Sequence, residues 1–433
     1  MDKMIYQKEL DYKYITDVFV AGGGAAGVAA AVAAARMGKE VYLAEASGCF
    51  GGLGTSGLVP AFAPFDDGVN ILADGIGYEI RKKLKNAVPL RNWTTLDIEE
   101  LKRVYDDTVT EAGIKFSFFT TVYDVIVKNN KIEGVVLGTK SGLIAVKAKI
   151  YIDCTGDGDL CAFGGGEYKK GDSDGNVMPP TLCSIWSGIN KEECNEPWNK
   201  HVEQAFKDGV LSFEDRHIPG FFHGNDKISG GNIGHIFNTD PTDENQLTDG
   251  MIWGRKSMVE FENYFKKYFT GYQNLRLVST ASILGVRESR RIKCDYTLNV
   301  NDFINRSVFE DEIGRYCYPV DIHVMNTDKE EYERFSKEYI TSLRYKNGES
   351  YGIPYRSLIP VSFKNALVAG RCIGTDRQMQ ASIRVMPGCF ITGQAAGTAA
   401  ALACEKEDVR KISTKELQKS LITLGAYLPN CSF

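Results

Sequence analysis

DVFVAGGGAAGVAAAVAAARMGKEVYLAE, residues 17–45, decides how the rest of the chain is read. An apolar run ends at Ala21, a glycine cluster follows, an alanine-rich stretch of high helical propensity reaches Met37, and a second apolar run ends in an acid. That order predicts strand, tight turn, helix, strand. Gly22, Gly24 and Gly27 form G-x-G-x-x-G in the turn. The first glycine permits the turn, the second lets backbone approach a pyrophosphate, and the third lets helix and strand pack closely. The helix start at Ala25 and Ala26 offers unpaired N–H groups and the positive end of the helix dipole to that pyrophosphate. Glu45, followed by Ala46, closes the second strand about twenty residues on, where a carboxylate accepts ribose hydroxyls. The stretch predicts a Rossmann-type dinucleotide site.

Working outward, Gly52, Leu53, Gly54 and Thr55 make a second glycine-rich loop just beyond Glu45. A nicotinamide dinucleotide has no evident use for it, whereas the longer FAD needs backbone room along its phosphates and ribityl chain; a plain surface loop is the alternative. In IDCTGDGD, residues 152–159, a strand breaks at Thr155 into Gly156 and Asp157, and ligands of doubly wound sheets gather beyond strand carboxyl ends. Near the C-terminus the strand LVAG ends in Gly370 and Arg371, and RVMPG opens a small-residue helix with Met386 and Pro387 in its first turn. A helix start aimed at the flavin would stabilise negative charge at the N1/O2 edge and raise the flavin's potential. Val122 completes the expected cofactor set, while Gly393, Ala395, Ala396 and Gly397 read as close helix packing.

Between these ends, residues 97–113 read as helix and 114–156 as short alternating strands divided by Asn-Asn and Ser-Gly turns. From about Pro179 the composition shifts toward aromatics and glycine turns, and FKNALVAG then returns to the style of the opening segment. The expected fold class is α/β. It comprises a Rossmann-type FAD-binding domain over residues 1–178 and 355–433, its parallel sheet carrying an antiparallel three-stranded crossover. An α+β substrate domain is inserted over 179–354.

The chain has 433 residues, 43% of them hydrophobic, enough to bury two domain cores. A formal net charge of -5 argues against a nucleic-acid partner. No apolar run reaches membrane-spanning length, and the N-terminus lacks the apolar centre of an export signal. The 11 cysteines are scattered with no C-x-x-C, which suits reduced thiols in the cytoplasm. With 5 histidines and no H-E-x-x-H, no metal site is expected.

GGGAAG, E-x-S-x-x-x-GGLGT, IDCTGDGDL, ILGVRESRRI, YPVDIH, YGIPYRSLIP, LVAGRCIGT and SIRVMPGCFITGQAAGTAAALA, in this order, resemble the blocks of the FAD-dependent oxidoreductase family within the glutathione-reductase-like flavoproteins. The resemblance implies noncovalent FAD and redox chemistry at flavin N5, and leaves the substrate open. Cys154 stands where that family usually has alanine, and Thr375, Asp376 and Arg377 stand where relatives often carry a threonine-histidine pair. Cys49 reads as an idle thiol rather than a covalent flavin anchor.

If FAD carries the hydride, the protein must supply a base and an anchor for a small-molecule substrate. In YPVDIHV, read as extended, Asp321 and His323 share a face, so the carboxylate can orient the imidazole for acid/base work; a structural histidine at a domain junction is the alternative. His235 is a second candidate. Arg287 and Arg291 share a face whether the segment is helix or strand, and would clamp an acidic group or form a salt-bridge network between domains. Arg384, just before the C-terminal helix, is within reach of flavin or substrate. No second G-x-G-x-x-G follows a strand, so electrons are expected to pass to or from a separate partner, a quinone or oxygen. Net non-redox flavin chemistry and purely structural FAD are the competing classes.

Overall fold

The strand, turn and helix of residues 17–45 form as the sequence predicts. A computed structural model describes residues 3–85, 93–193, 196–224, 228–335, 337 and 343–431. β1 (Tyr12–Ala21), α1 (Ala25–Arg36) and β2 (Val41–Ala44) make the βαβ unit, with Val18 opposite Val41 in a parallel ladder. The last residues of β1, from Val18 on, are buried, as a parallel strand covered on both faces requires.

β3 (Lys115–Ser117) joins beyond β2, and β4 (Thr121–Lys128), β5 (Lys131–Thr139) and β6 (Gly142–Asp153) form an antiparallel meander. Asn129 and Asn130 turn β4 into β5 at φ 52° and 60°, a left-handed conformation asparagine tolerates. β6 belongs to both parts of the sheet. Val146 pairs with Val135 of β5, while Ile152 pairs in parallel with Leu367 of β7 (Ala366–Val368). The parallel order is β3-β2-β1-β6-β7, with β5 and β4 as the crossover.

α2 (Met386–Ala403) lies against α1 over its small residues. A Cβ on Gly393 would stand 2.1 Å from the Ala26 carbonyl oxygen, and one on Gly397 2.0 Å from that of Ala30, so the backbones touch. Both contacts advance by four residues in the same sense, so the helices run parallel and begin at the same end of the sheet. The packing reading of Gly393 and Gly397 accounts for them fully.

Within residues 184–280, a four-stranded antiparallel sheet and the helix Glu244–Tyr268 gather around a second apolar cluster of Trp186, Phe221, Phe261, Phe265 and Tyr272. Phe303, Ile313, Tyr316, Tyr351 and Ile353 instead join the main core. The stretch 318–324, expected as extended and strand-like, lies in no strand. Pro319 has no N–H to continue the ladder that ends at Tyr316. Within residues 328–345, Lys329–Phe335 is helical, and residues 336 and 338–342 lie outside the described residues. Among the described residues no helix is long and apolar enough to cross a membrane.

Candidate functional site

Each glycine of the first turn does a different job. Gly22 sits at φ +90°, and a Cβ there would meet the Cys154 carbonyl oxygen at 2.5 Å. One on Gly27 would stand 1.8 Å from the Gly22 carbonyl oxygen, so strand and helix are in backbone contact. Around Gly24 a Cβ would meet nothing within 4 Å, and that open face is what a pyrophosphate needs. No side chain caps the start of α1, whereas Asp97, Asp243, Asn299, Asp376 and Ser413 cap their own helices. The N–H groups at Ala25 and Ala26 are left for a ligand. Buried Glu45 accepts from Gly23 N at 2.6 Å and from Ser47 N at 2.7 Å. Ala46 is exposed beside it, and half-buried Val122 enters β4 where Thr120 N donates to the Glu45 carbonyl at 2.9 Å.

The second glycine loop docks on the first. Gly51 N donates to the Gly23 carbonyl at 2.8 Å, and Gly24 and Gly51 form a short parallel bridge. Gly52, Leu53 and Gly54 form a 3₁₀ turn, closed by Thr55 Oγ1 donating to the Phe50 carbonyl at 2.6 Å. A Cβ on Gly54 would lie 2.6 Å from Met386 Sδ, so this loop meets the start of α2. Pro387 lies in the first turn of α2, which also has no side-chain cap. Thr155 Oγ1 donates to Asp153 at 2.7 Å. Gly156, at φ +80°, lies under the Arg371 guanidinium, which donates to Asp157 at 2.6 Å and keeps a buried Nε without a partner. Gly370 is also left-handed, and a Cβ there would meet the Ala26 methyl at 3.0 Å. Two uncapped helix starts, an open glycine and an unpartnered guanidinium N–H fit a long dinucleotide. Asp376 is occupied otherwise, capping the helix Arg377–Ile383.

The expected acid/base residues lie at the join of the two cores. His235 Nε2 and His323 Nδ1 are 2.8 Å apart, and His235 Nδ1 faces Asp215 at 3.1 Å. His323 Nε2 is 3.5 Å from the Asp321 carboxylate, so the two do meet, although through a coil and not a strand face. The His217 ring stacks on His235 with centroids 4.1 Å apart. Burial, with Arg287, His235 and Arg384 adding to it, holds His323 well below the ordinary histidine value. Burial likewise lowers His217 and His235. All three rings are therefore neutral at neutral pH.

Arg287 and Arg291 are not brought together on one anion. Arg291 bonds to buried Glu288 and donates to the Gly171 carbonyl at 2.8 Å, and Arg377 donates to Glu288 at 3.0 Å, which is the salt-bridge alternative. They share no face, because Arg287 lies in coil and the strand Arg290–Ile292 begins only after it. Arg287 donates to the Pro179 carbonyl at 2.7 Å and to Thr181 at 2.8 Å. Its pKa is pushed down to about 10 by burial and by the nearby Arg384. Arg384 in turn donates to the Asp321 carbonyl at 2.8 Å and pairs with its carboxylate at 3.3 Å.

Asp321 also lines a cleft with Pro64, Trp93, Tyr318, Arg344 and Tyr345. The sequence reading missed Asp215 and His217. Their signal was available: Asp215-Arg216-His217 repeats the D-x-H of Asp321-Ile322-His323. What it conceals is that Asp215 faces His235 rather than the histidine two positions on.

The family model described as FAD dependent oxidoreductase matches residues 17–421. Thiamine thiazole synthase from Methanococcus vannielii is 33% identical over 152 residues, covering 32% of this chain and 56% of its own length. The chain thus spans little more than half of that relative. A geranylgeranyl bacteriochlorophyll reductase-like protein from Thermoplasma acidophilum aligns at TM-score 0.49 and 12% identity, over 95% of this chain and 83% of its own. L-proline dehydrogenase from P. horikoshii aligns at TM-score 0.43 and 14% identity, over 91% and 94%. With the family model spanning nearly the whole sheet, both glycine loops and α2, the chain belongs to the FAD-dependent oxidoreductase family, and FAD is its cofactor.

Proposed function

We propose that the chain exchanges hydride between flavin N5 and a small polar organic substrate held in the cleft beside Asp321, with His323 managing the proton. FAD, when bound, supplies a two-electron acceptor that this chain's side chains lack. The carrying observation is continuity. His323 meets Asp321, Asp321 is clamped by Arg384, and Arg384 lies two residues before α2, whose start touches the second glycine loop. In this reading Gly22, Gly24, Ala25, Ala26 and Gly27 hold the pyrophosphate and Glu45 the ribose. Gly52, Leu53, Gly54, Thr55, Thr155, Gly156, Asp157, Gly370, Arg371, Met386 and Pro387 line the rest of the cofactor, with Ala46 and Val122 at its adenosine end.

Arg287 paired with Arg384, not with Arg291, is the anchor for an acidic group on the substrate. Core membership favours a substrate-facing insert of about residues 179–289, shorter than the 179–354 expected. Assignment to the wider glutathione-reductase-like group, a cytoplasmic setting and a separate electron partner belong to the same proposal. Anaerobic mixing of the yellow protein with polyols, sugars, hydroxy acids and unsaturated acids tests it. Bleaching of oxidised flavin is expected, and is lost in His323→Ala with the resting spectrum unchanged. Turnover without bleaching would move the enzyme to non-redox chemistry, and a panel that leaves the flavin untouched would point to structural FAD.

A further inference from the structure

Three of the chain's 5 histidines meet at one place, and two of them arrive from the inserted unit. Asp215 is pinned there by two backbone donors, His217 N at 2.9 Å and His235 N at 2.5 Å. A carboxylate so held is an acceptor only, so the His235 Nδ1 that faces it must carry a proton. A buried neutral imidazole has one N–H, which leaves His235 Nε2 as an acceptor. His323 Nδ1, 2.8 Å away, must then be the donor, and His323 Nε2 is left with a bare lone pair. That lone pair faces the Asp321 carboxylate at 3.5 Å, two acceptors with no proton between them. With Asp321 paired to Arg384, the lone pair at His323 Nε2 is the one left to accept a substrate hydroxyl.

We infer that Asp215 and His235 form a relay behind His323, fixing its tautomer so that Nε2 receives the substrate proton. The inference rests on the hydride-transfer reading above. In the alcohol-to-carbonyl direction the C–H bond breaks, its hydride reduces the family's flavin, and the O–H proton passes to His323 Nε2. The Nδ1 proton of His323 then leans toward His235, and that of His235 toward Asp215, so the new positive charge is drawn toward a buried carboxylate. Asp215 and His235 are positioning residues; of the three, only His323 touches substrate. A metal ion held by the three rings is the rival use of the cluster. The stacked, near-parallel planes of His217 and His235, 20° apart, set their lone pairs side by side instead of converging on one point.

The test uses the FAD-loaded full chain. In Asp215→Asn, the rate of substrate-driven flavin bleaching should fall by about 10²–10⁴-fold, the range for general acid–base catalysis. KM should stay within about threefold, and the acid limb of the pH profile should move to lower pH, because the base has lost its carboxylate. Asp215→Glu should recover part of the rate. A wild-type rate and profile in Asp215→Asn would overturn the relay. Independently of any substrate, ¹⁵N-histidine NMR of the wild-type protein should show Nδ1 protonated and Nε2 bare in both His235 and His323. The opposite tautomer in either, or a stoichiometric transition metal lost in His217→Ala, would overturn it. Absence of bleaching by every substrate, with those tautomers present, would instead sink the hydride-transfer reading.

Discussion

Gly24 and Gly27 stand three positions apart, yet the same substitution acts on them through different physics. A valine at 24 enters open space and occupies what the pyrophosphate needs. Gly24→Val should leave the apoprotein's Tm within about 2 °C, as expected of a change that touches no packed atom, and abolish flavin retention. A valine at 27 collides with the Gly22 carbonyl, and Gly27→Val should cost about 3 kcal/mol or more in urea unfolding of the apoprotein. Equal effects of the two on apoprotein stability would show that Gly24 is packed and not open. Arg291 and Arg287 divide similarly. Arg291→Met leaves Glu288 buried with a partner lost, and a cost of about 3 kcal/mol is expected with no selective change in KM. Arg287→Lys should raise KM for acidic substrates while stability stays closer to wild type.

At the scale of elements, the contact of α1 with α2 sets where the two uncapped helix starts lie. Gly397→Val, deep in that contact, should lower Tm by several degrees and weaken flavin retention in parallel, because it pushes both helix starts out of place. An unchanged Tm would mean that α2 can slide, and that its start is not fixed by α1. The βαβ unit, the Asn-Asn turn and the small-residue helix were all legible in the sequence, since each is dictated by residues within one turn or one hairpin. The neighbourhood proposed to handle the proton was half legible. Asp321 and His323 do meet, but Asp215, His235 and His323 are far apart in the chain, and no local periodicity joins them. Arg287 and Arg291 could share a face only within one regular element, and at Arg287 the chain is coil.

Across the whole molecule, the histidine cluster ties stability to pH. Burial, the largest cause for each ring, lowers His217, His235 and His323 relative to the unfolded chain. Below about pH 6.5 the unfolded state therefore binds more protons than the folded one, so stability falls as pH drops through that window and is level above it. Each ring adds up to about 1.4 kcal/mol per pH unit to that slope. Urea unfolding of His217→Phe should show a flatter slope between about pH 5 and pH 6.5, by about one proton; an unchanged slope would mean that His217 titrates normally in the fold. Hydride transfer is tested by the anaerobic bleaching rate of the bound flavin with a substrate deuterated at the reacting carbon. Hydride transfer to the flavin requires distinctly slower bleaching than with the protiated substrate, because the C–H bond breaks as the flavin is reduced. Product formation from the deuterated substrate with the flavin left oxidised throughout, in the absence of any acceptor, would contradict it.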